Sequence, residues 1–204
     1  MFGIVGYLKF VISSVCLNLT PGTDVLYVLG SSVSGGKKVG IVSAFGITTG
    51  ILIHTLLVTF GLAAILASSP LIFNIIKWAG ALYLVLLGII TLCKKSAITE
   101  SGQAENLNLK LVYLKGILTN VLNPKTLLFF LVLLPQFVDA ESGFGALPFI
   151  ILGLTFFTTS TIWCAIIALG GASIGRLLTS PNAQKIAKVL SGALYILLGL
   201  NILT

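Results

Sequence analysis

Two ionisable residues stand alone inside apolar sequence, each beside a helix breaker. Asp24 is the only charge between Phe10 and Gly36 and lies just after Pro21-Gly22. Lys125 follows Asn123-Pro124 and interrupts a second apolar stretch, Gly116 to Val138. An acid and a base held at membrane depth cost several kcal/mol each and usually mark a substrate or ion path. Asp24 can hold an ammonium group, carry a proton or pair with Lys125, and Lys125 can bind a carboxylate. The alternative for the two together is a structural ion pair that steadies the breaks. Depth allows either: at 1.5 Å per residue, Asp24 lies about 20 Å from the Lys37 end and Lys125 about 15 Å from Lys115.

The breaks have a chemistry of their own. Proline removes an amide donor and clashes with the preceding turn, and Gly22 lets the backbone swing. A half-helix then starts at Thr23, and its free amides carry partial positive charge suited to a carboxylate. A simple kink capped by Thr20 or Thr23 is the competing reading. His54, the sole histidine, falls near the centre of residues 43–67, which carry no formal charge. Its titration range suits a proton relay, and a neutral histidine gluing two helices fits equally. Asn18, Asn120, Asn123 and Gln136 add polar groups near the breaks. Tyr83 and Tyr195 either line a path or pack. The spacings Gly46/Gly50 and Gly171/Gly175 bring helix backbones close, within one monomer first, with a homo-oligomer seam as the other use.

Residues so placed need membrane spans to hold them. The 204-residue chain is 57% hydrophobic and 8% charged, with mean hydropathy +1.13, whereas soluble domains carry about 25% charged residues. Apolar runs long enough for a span of roughly 20 residues fall at about 4–33 (broken at 20–24), 41–67, 71–93, 111–138 (broken at 123–125), 145–175 and 186–203. The expectation is an all-α membrane protein of six transmembrane helices, one domain over 1–204. A polar linker at about 96–109 separates residues 1–95 from 110–204. Lys37, Lys38, Lys94, Lys95, Lys110, Lys115, Arg176, Lys185 and Lys188 would share one face, and Lys9, Lys77, Asp139 and Glu141 the other. The positive-inside rule then puts both termini outside the cytoplasm.

The halves resemble each other. Gly80-Ala81-Leu82-Tyr83 recurs as Gly192-Ala193-Leu194-Tyr195, and Pro21 and Thr23 match Pro124 and Thr126. Three spans per half make the repeats inverted, and broken helices at equivalent places point to a site between the halves at mid-depth.

The net charge of +7 clusters at span ends, where it meets lipid headgroups rather than nucleic acid. Cys16, Cys93 and Cys164 form no CxxC or Cys/His cluster, so neither disulfides nor metal sites are expected. A thiol carrier passing electrons across the bilayer needs two cysteines able to meet, and the fourth span has none. One histidine and five acids leave little for a hydrolase, and nothing resembles a channel filter. The first apolar run has no basic leader and no small-residue cleavage site, so it reads as a retained span. No soluble cofactor is implied.

At these residues the chain resembles the LysE/RhtB family of amino-acid exporters over nearly its full length. The resemblance runs through Pro21-Gly22-Thr23-Asp24, Gly46, Gly50 and His54, Gly61-Leu62, Ser69-Pro70, Gly80-Ala81 with Tyr83-Leu84, and Gly88. It continues through Asn120, Asn123-Pro124-Lys125, Phe129-Phe130 and Leu134-Pro135-Gln136-Phe137. The family commonly has Pro-Gly-Pro-Asp where this chain has Thr23, a change that loosens the first break. The resemblance implies a six-span inner-membrane exporter of amino acids driven by the proton gradient, with Asp24 and Lys125 as functional residues and the two breaks as the site. It leaves the transported amino acid open.

Overall fold

The chain is organised by its helix breakers. The computed structural model describes residues 2–20, 22–93, 108–139 and 141–203. Pro21 of the first break, Lys94 and Lys95, and nearly all of the expected linker lie outside the described residues. Among those described, regular structure is helical apart from one isolated antiparallel bridge, Ile4 to Val138. Helix α1 (Tyr7–Leu19) stops before the first break, and α2 (Thr23–Ser68) starts after it. α3 (Pro70–Cys93) completes the first half. α4 (Leu109–Val121) ends at the second break, and α5 (Pro124–Leu128) runs on through a π turn, Phe129–Leu133, and a 3₁₀ turn, Leu134–Phe137. α6 (Leu147–Thr179) and α7 (Pro181–Leu203) close the chain.

Local chemistry explains the starts. Pro70, Pro124 and Pro181 each take the first helical position, where the missing N–H is no loss. Asn108 and Asn123 cap α4 and α5, their Oδ1 atoms accepting from the Lys110 and Lys125 amides at 3.0 Å.

The structure corrects one expected boundary. No loop separates the first two expected spans at 34–40; the helix runs through, broken at the single residue Gly36 (φ 76°, ψ 179°). That left-handed φ favours glycine, and there the chain doubles back. A Cβ on Gly40 would lie 2.7 Å from the Ser32 Cβ, whereas a straight helix would hold these residues about 12 Å apart. α6 has a similar break at Gly171 (φ 46°, ψ −125°).

Packing around α2 is close because its contact residues are small. A Cβ on Gly46 would meet the Tyr113 carbonyl oxygen and lie 2.9 Å from the Gly116 Cα, and one on Gly50 would lie 2.6 Å from Asn120 Oδ1. The long arm of α2 and α4 therefore run parallel, in contact along a glycine seam within the monomer. α6 crosses the long arm of α2 in the opposite sense, with Gly153 on Thr55, and the short arm is tied to α6 by the Ser32 hydroxyl, which donates to the Ala168 carbonyl at 2.6 Å. α3 and α7 form an antiparallel pair in which a Cβ on Gly88 would lie 2.7 Å from the Gly192 carbonyl oxygen.

The core lies around the breaks. Phe10, Phe129, Phe130, Phe137, Phe149 and Phe156 are almost fully buried, with the Phe129 and Phe156 rings stacked at 4.3 Å. A second cluster, with Val25, Val28, Ile47, Cys164 and Ile167, packs the first half-helix of α2 against α6. The outside is apolar too: Phe60, Leu8 and Leu71 are at least 70% exposed, while Ser14, His54 and Asn120 are buried. That inversion suits hydrocarbon as the solvent. Thr23–Ile65 and Leu147–Gly171 are long and apolar enough to cross a membrane, and Leu109–Val121 with Pro124–Phe137, bent by 47°, adds a broken span. Shorter apolar stretches occur in α1, α3 and α7. The N-terminal segment is pinned to the end of that broken helix by Val5 N–H to Phe137 O and Asp139 N–H to Gly3 O, both 2.9 Å. Asp139 is thereby held beside the N-terminal segment.

Candidate functional site

Each break leaves a carbonyl without its helical partner, and each is met by a side chain from elsewhere. In a continuous helix the Leu17 carbonyl would accept from residue 21, and the Asn120 carbonyl from residue 124; both are proline. Lys125 Nζ donates to the Leu17 carbonyl at 2.7 Å and to the Thr20 carbonyl at 2.8 Å. The second half of the chain thus supplies the donor that the first break lacks. At the second break, His54 Nε2 lies 3.2 Å from the Asn120 carbonyl oxygen. A carbonyl only accepts, so this contact requires the proton on Nε2. The Asn123 amide also reaches that carbonyl at 3.0 Å, and the His54 ring stacks on Phe130 at 5.6 Å.

Asp24 sits in the first turn after the first break, its amide end facing no capping side chain: Gly22 holds the N-cap position. Its Oδ2 accepts from Asn120 Nδ2 at 2.8 Å and from Thr126 Oγ1 at 3.2 Å. Its Oδ1 is buried with no hydrogen-bond partner, as is Asn120 Oδ1. The carboxylate therefore bridges the breaks through neutral donors, and none of its hydrogen bonds goes to Lys125. Both nonetheless line one cavity of about 20 Å³ with Thr126, Ser160, Trp163 and Cys164, room for about one water. Asn18 closes it on one side, donating to Thr159 Oγ1 at 3.2 Å and accepting from the Ser160 hydroxyl at 2.8 Å.

Of the residues singled out in sequence, Asp24, Lys125, Asn120 and Asn123 come together, with Pro124 opening α5. Gly22 lies against Lys125, where a Cβ would be 3.4 Å from the lysine Cδ. Its φ of −154° and ψ of −175° are extended backbone open to any residue, so this conformation does not require glycine. Thr23 is exposed. His54 stands one residue behind the cavity, joined to Asp24 through Asn120. Tyr195 is buried in the aromatic core and Tyr83 is half-buried. The three cysteines are free thiols, and among the described residues no His, Cys, Asp and Glu cluster could hold a metal. Thr126 and the wall of Ser160, Trp163 and Cys164 were missed. Thr126 had a signal in its match to Thr23; the α6 residues lie in a uniformly apolar run that offers none.

Apolar outside, two broken helices inside and opposite charges at one enclosed centre define a membrane transporter. A family model described as "LysE type translocator" matches residues 15–204, and the chain belongs to that family, a family of transporters and not of enzymes. A protein of Vibrio cholerae serotype O1 described as an "Uncharacterized membrane protein" is 30% identical over 97% of this chain and 96% of its own length. "Leucine efflux protein" sequences from Salmonella choleraesuis and Salmonella paratyphi A are each 28% identical over 96% of this chain and 93% of theirs. No solved structure matches the chain.

Proposed function

We propose that this chain is a secondary exporter of amino acids across the inner membrane, coupled to the proton gradient. The observation that carries the reading is a carboxylate and an ammonium, Asp24 and Lys125, on one small cavity between two half-helix starts. An α-amino acid bears the complementary charges on adjacent atoms. Its ammonium group meets Asp24 Oδ1, the carboxylate oxygen without a partner. Its carboxylate meets Lys125 and the uncapped amides at the start of α2 near Thr23. The cavity of about 20 Å³ is too small for that solute, so binding opens it. Lys125 must then leave the Leu17 and Thr20 carbonyls, which frees the first break to swing. Proton exchange at Asp24 or His54 resets the carrier. The relatives described as leucine efflux proteins support an amino-acid cargo.

The reading carries an architecture with it. The antiparallel pairs α2 with α6 and α3 with α7 support six spans arranged as two inverted repeats, residues 1–95 and 110–204, with breaks at equivalent positions. The exposed lysines Lys37, Lys38, Lys110 and Lys115 face the cytoplasm, and both termini lie outside it.

The test is efflux from cells loaded with a mixed panel of dipeptides, read as amino acids in the medium with and without an uncoupler. Selective, uncoupler-sensitive release is expected, and Asp24→Asn and Lys125→Ala should each abolish it while still inserting. Near-normal export by either variant would sink the site, and no export of any amino acid by the expressed wild type would sink the function.

A further inference from the structure

A second, larger space opens beside the charged centre. A groove of about 230 Å³ runs between α1 and α6, walled by Val15 and Leu19 on one side and by Ile162 and Ile166 on the other. Asn18 and Trp163 line both this groove and the small cavity, so they form the partition between the two. Apart from the partition and Thr159, the walls are hydrocarbon, and no lining residue is ionisable. Asn18 is already satisfied by Thr159 and Ser160. The Trp163 indole N–H is buried without a partner, a donor left at the boundary between polar centre and apolar groove.

We infer that this groove is the side-chain subsite for the transported amino acid and that it takes an uncharged aliphatic chain. The inference rests on the exporter reading above and adds what that reading leaves open, the substrate class. With the ammonium and carboxylate held at Asp24 and Lys125, this groove is an adjoining space of adequate size for the side chain. A cavity of about 150 Å³ accepts benzene, so the groove has room for a branched four-carbon chain. A lysine or glutamate side chain would bury its charge there with no partner. Ile162 and Ile166 are 57% and 44% exposed, so the outer wall of the subsite borders lipid, and their bulk sets how long a chain fits. Trp163 separates the charged end from the apolar end and offers its N–H to the former.

The test compares leucine with alanine efflux in variants that change the groove but leave the charged centre intact. Ile162→Trp, which fills it, should lower the leucine-to-alanine ratio about tenfold, the discrimination that a few methylenes give in an apolar pocket. Ile162→Ala should move the ratio toward longer chains such as phenylalanine. Phe60→Trp, exposed on α2 and not among the groove residues, should leave the ratio unchanged. Trp163 and Trp78 are the only two tryptophans, so in Trp78→Phe the fluorescence reports on the groove. Leucine should shift it in reconstituted protein, and alanine and lysine should not. Wild-type export with unchanged ratios in both Ile162 variants would overturn the subsite and leave the exporter standing. Fluorescence quenched by brominated acyl chains but indifferent to leucine would assign the groove to lipid and overturn it too. Absence of any export by wild type would bring down the exporter reading itself, and this inference with it.

Discussion

The two breaks begin from the same accident and end differently. Each proline strands one carbonyl, Leu17 at the first break and Asn120 at the second. The second break is repaired partly from its own turn: Asn123 caps the Lys125 amide and its own amide returns to Asn120, while a rigid ring from α2, His54, covers the rest. The first break has a glycine cap with no side chain to offer; the Thr20 amide returns to the Leu17 carbonyl at 3.2 Å, but the remaining donor to Leu17 and Thr20 is an ammonium borrowed from the other half of the protein. A stacked ring is not easily displaced, whereas a lysine head can trade a carbonyl for a substrate carboxylate. The contrast assigns motion to the first break and support to the second, and it can be broken at four places.

Lys125→Met should give the largest effect. It removes the donor to two carbonyls and leaves the Asp24 carboxylate as the remaining charge of the centre. Efflux should fall by at least about 100-fold, and an unsatisfied buried group costs about 1–3 kcal/mol, so the melting temperature in detergent should drop by several degrees. Because Lys125 bonds carbonyls and not Asp24, adding Asp24→Asn should not restore stability. A double variant as stable as wild type would show that the two residues act as an ion pair. His54 comes next. His54→Leu should lower the melting temperature by roughly 4 °C, from about 1–2 kcal/mol at 2–4 °C per kcal/mol. His54→Gln, which can still donate to the Asn120 carbonyl, should recover most of it. Efflux that stays lost in a stably folded His54→Gln would make the histidine a proton carrier rather than a prop.

Much of this arrangement was readable beforehand because lone charges and prolines in apolar sequence have few structural uses. Asp24, Lys125 and the breaks at Pro21 and Pro124 could be picked out one residue at a time. So could the Gly46/Gly50 seam, since small residues at four-residue spacing permit close approach of helices. What could not be read is who partners whom. That Lys125 answers Leu17 and Thr20, 108 and 105 residues away, depends on how the halves dock, and no local pattern encodes docking. The reversal at Gly36 was hidden for a related reason: one glycine turns the chain where a polar loop was expected. Ser160 and Trp163 look like any residues of an apolar span until α1 is laid against them.

Asn123→Ala removes the local cap of the second break. An N-cap is worth about 1 kcal/mol, which predicts a fall in melting temperature of about 2–4 °C. Transport should weaken only modestly: Asn123 is one of three polar side chains on Asp24, and the hydrogen bonds from Asn120 and Thr126 remain. If export instead fails outright while the protein stays folded, the second break is a moving part and the division of labour proposed here is wrong.

The smallest change tests the division most directly, by giving the first break the cap it lacks. Gly22 is extended, and a Cβ there would meet Lys125 Cδ at 3.4 Å and Nζ at 3.5 Å, ordinary contact distances. Serine therefore fits without strain, and its hydroxyl can accept from the second or third amide of α2, as N-cap serines do. The substitution should raise the melting temperature slightly, by a degree or two, since serine improves on glycine at an N-cap by only a few tenths of a kcal/mol. It should also slow efflux, because the capped amides no longer wait for a substrate carboxylate and the break resists swinging. A variant both more stable and slower is the signature of a hinge whose looseness is functional. Gly22→Ser that is more stable and transports at the wild-type rate would place the movement elsewhere, with Gly36 and Gly171 as the next positions to stiffen.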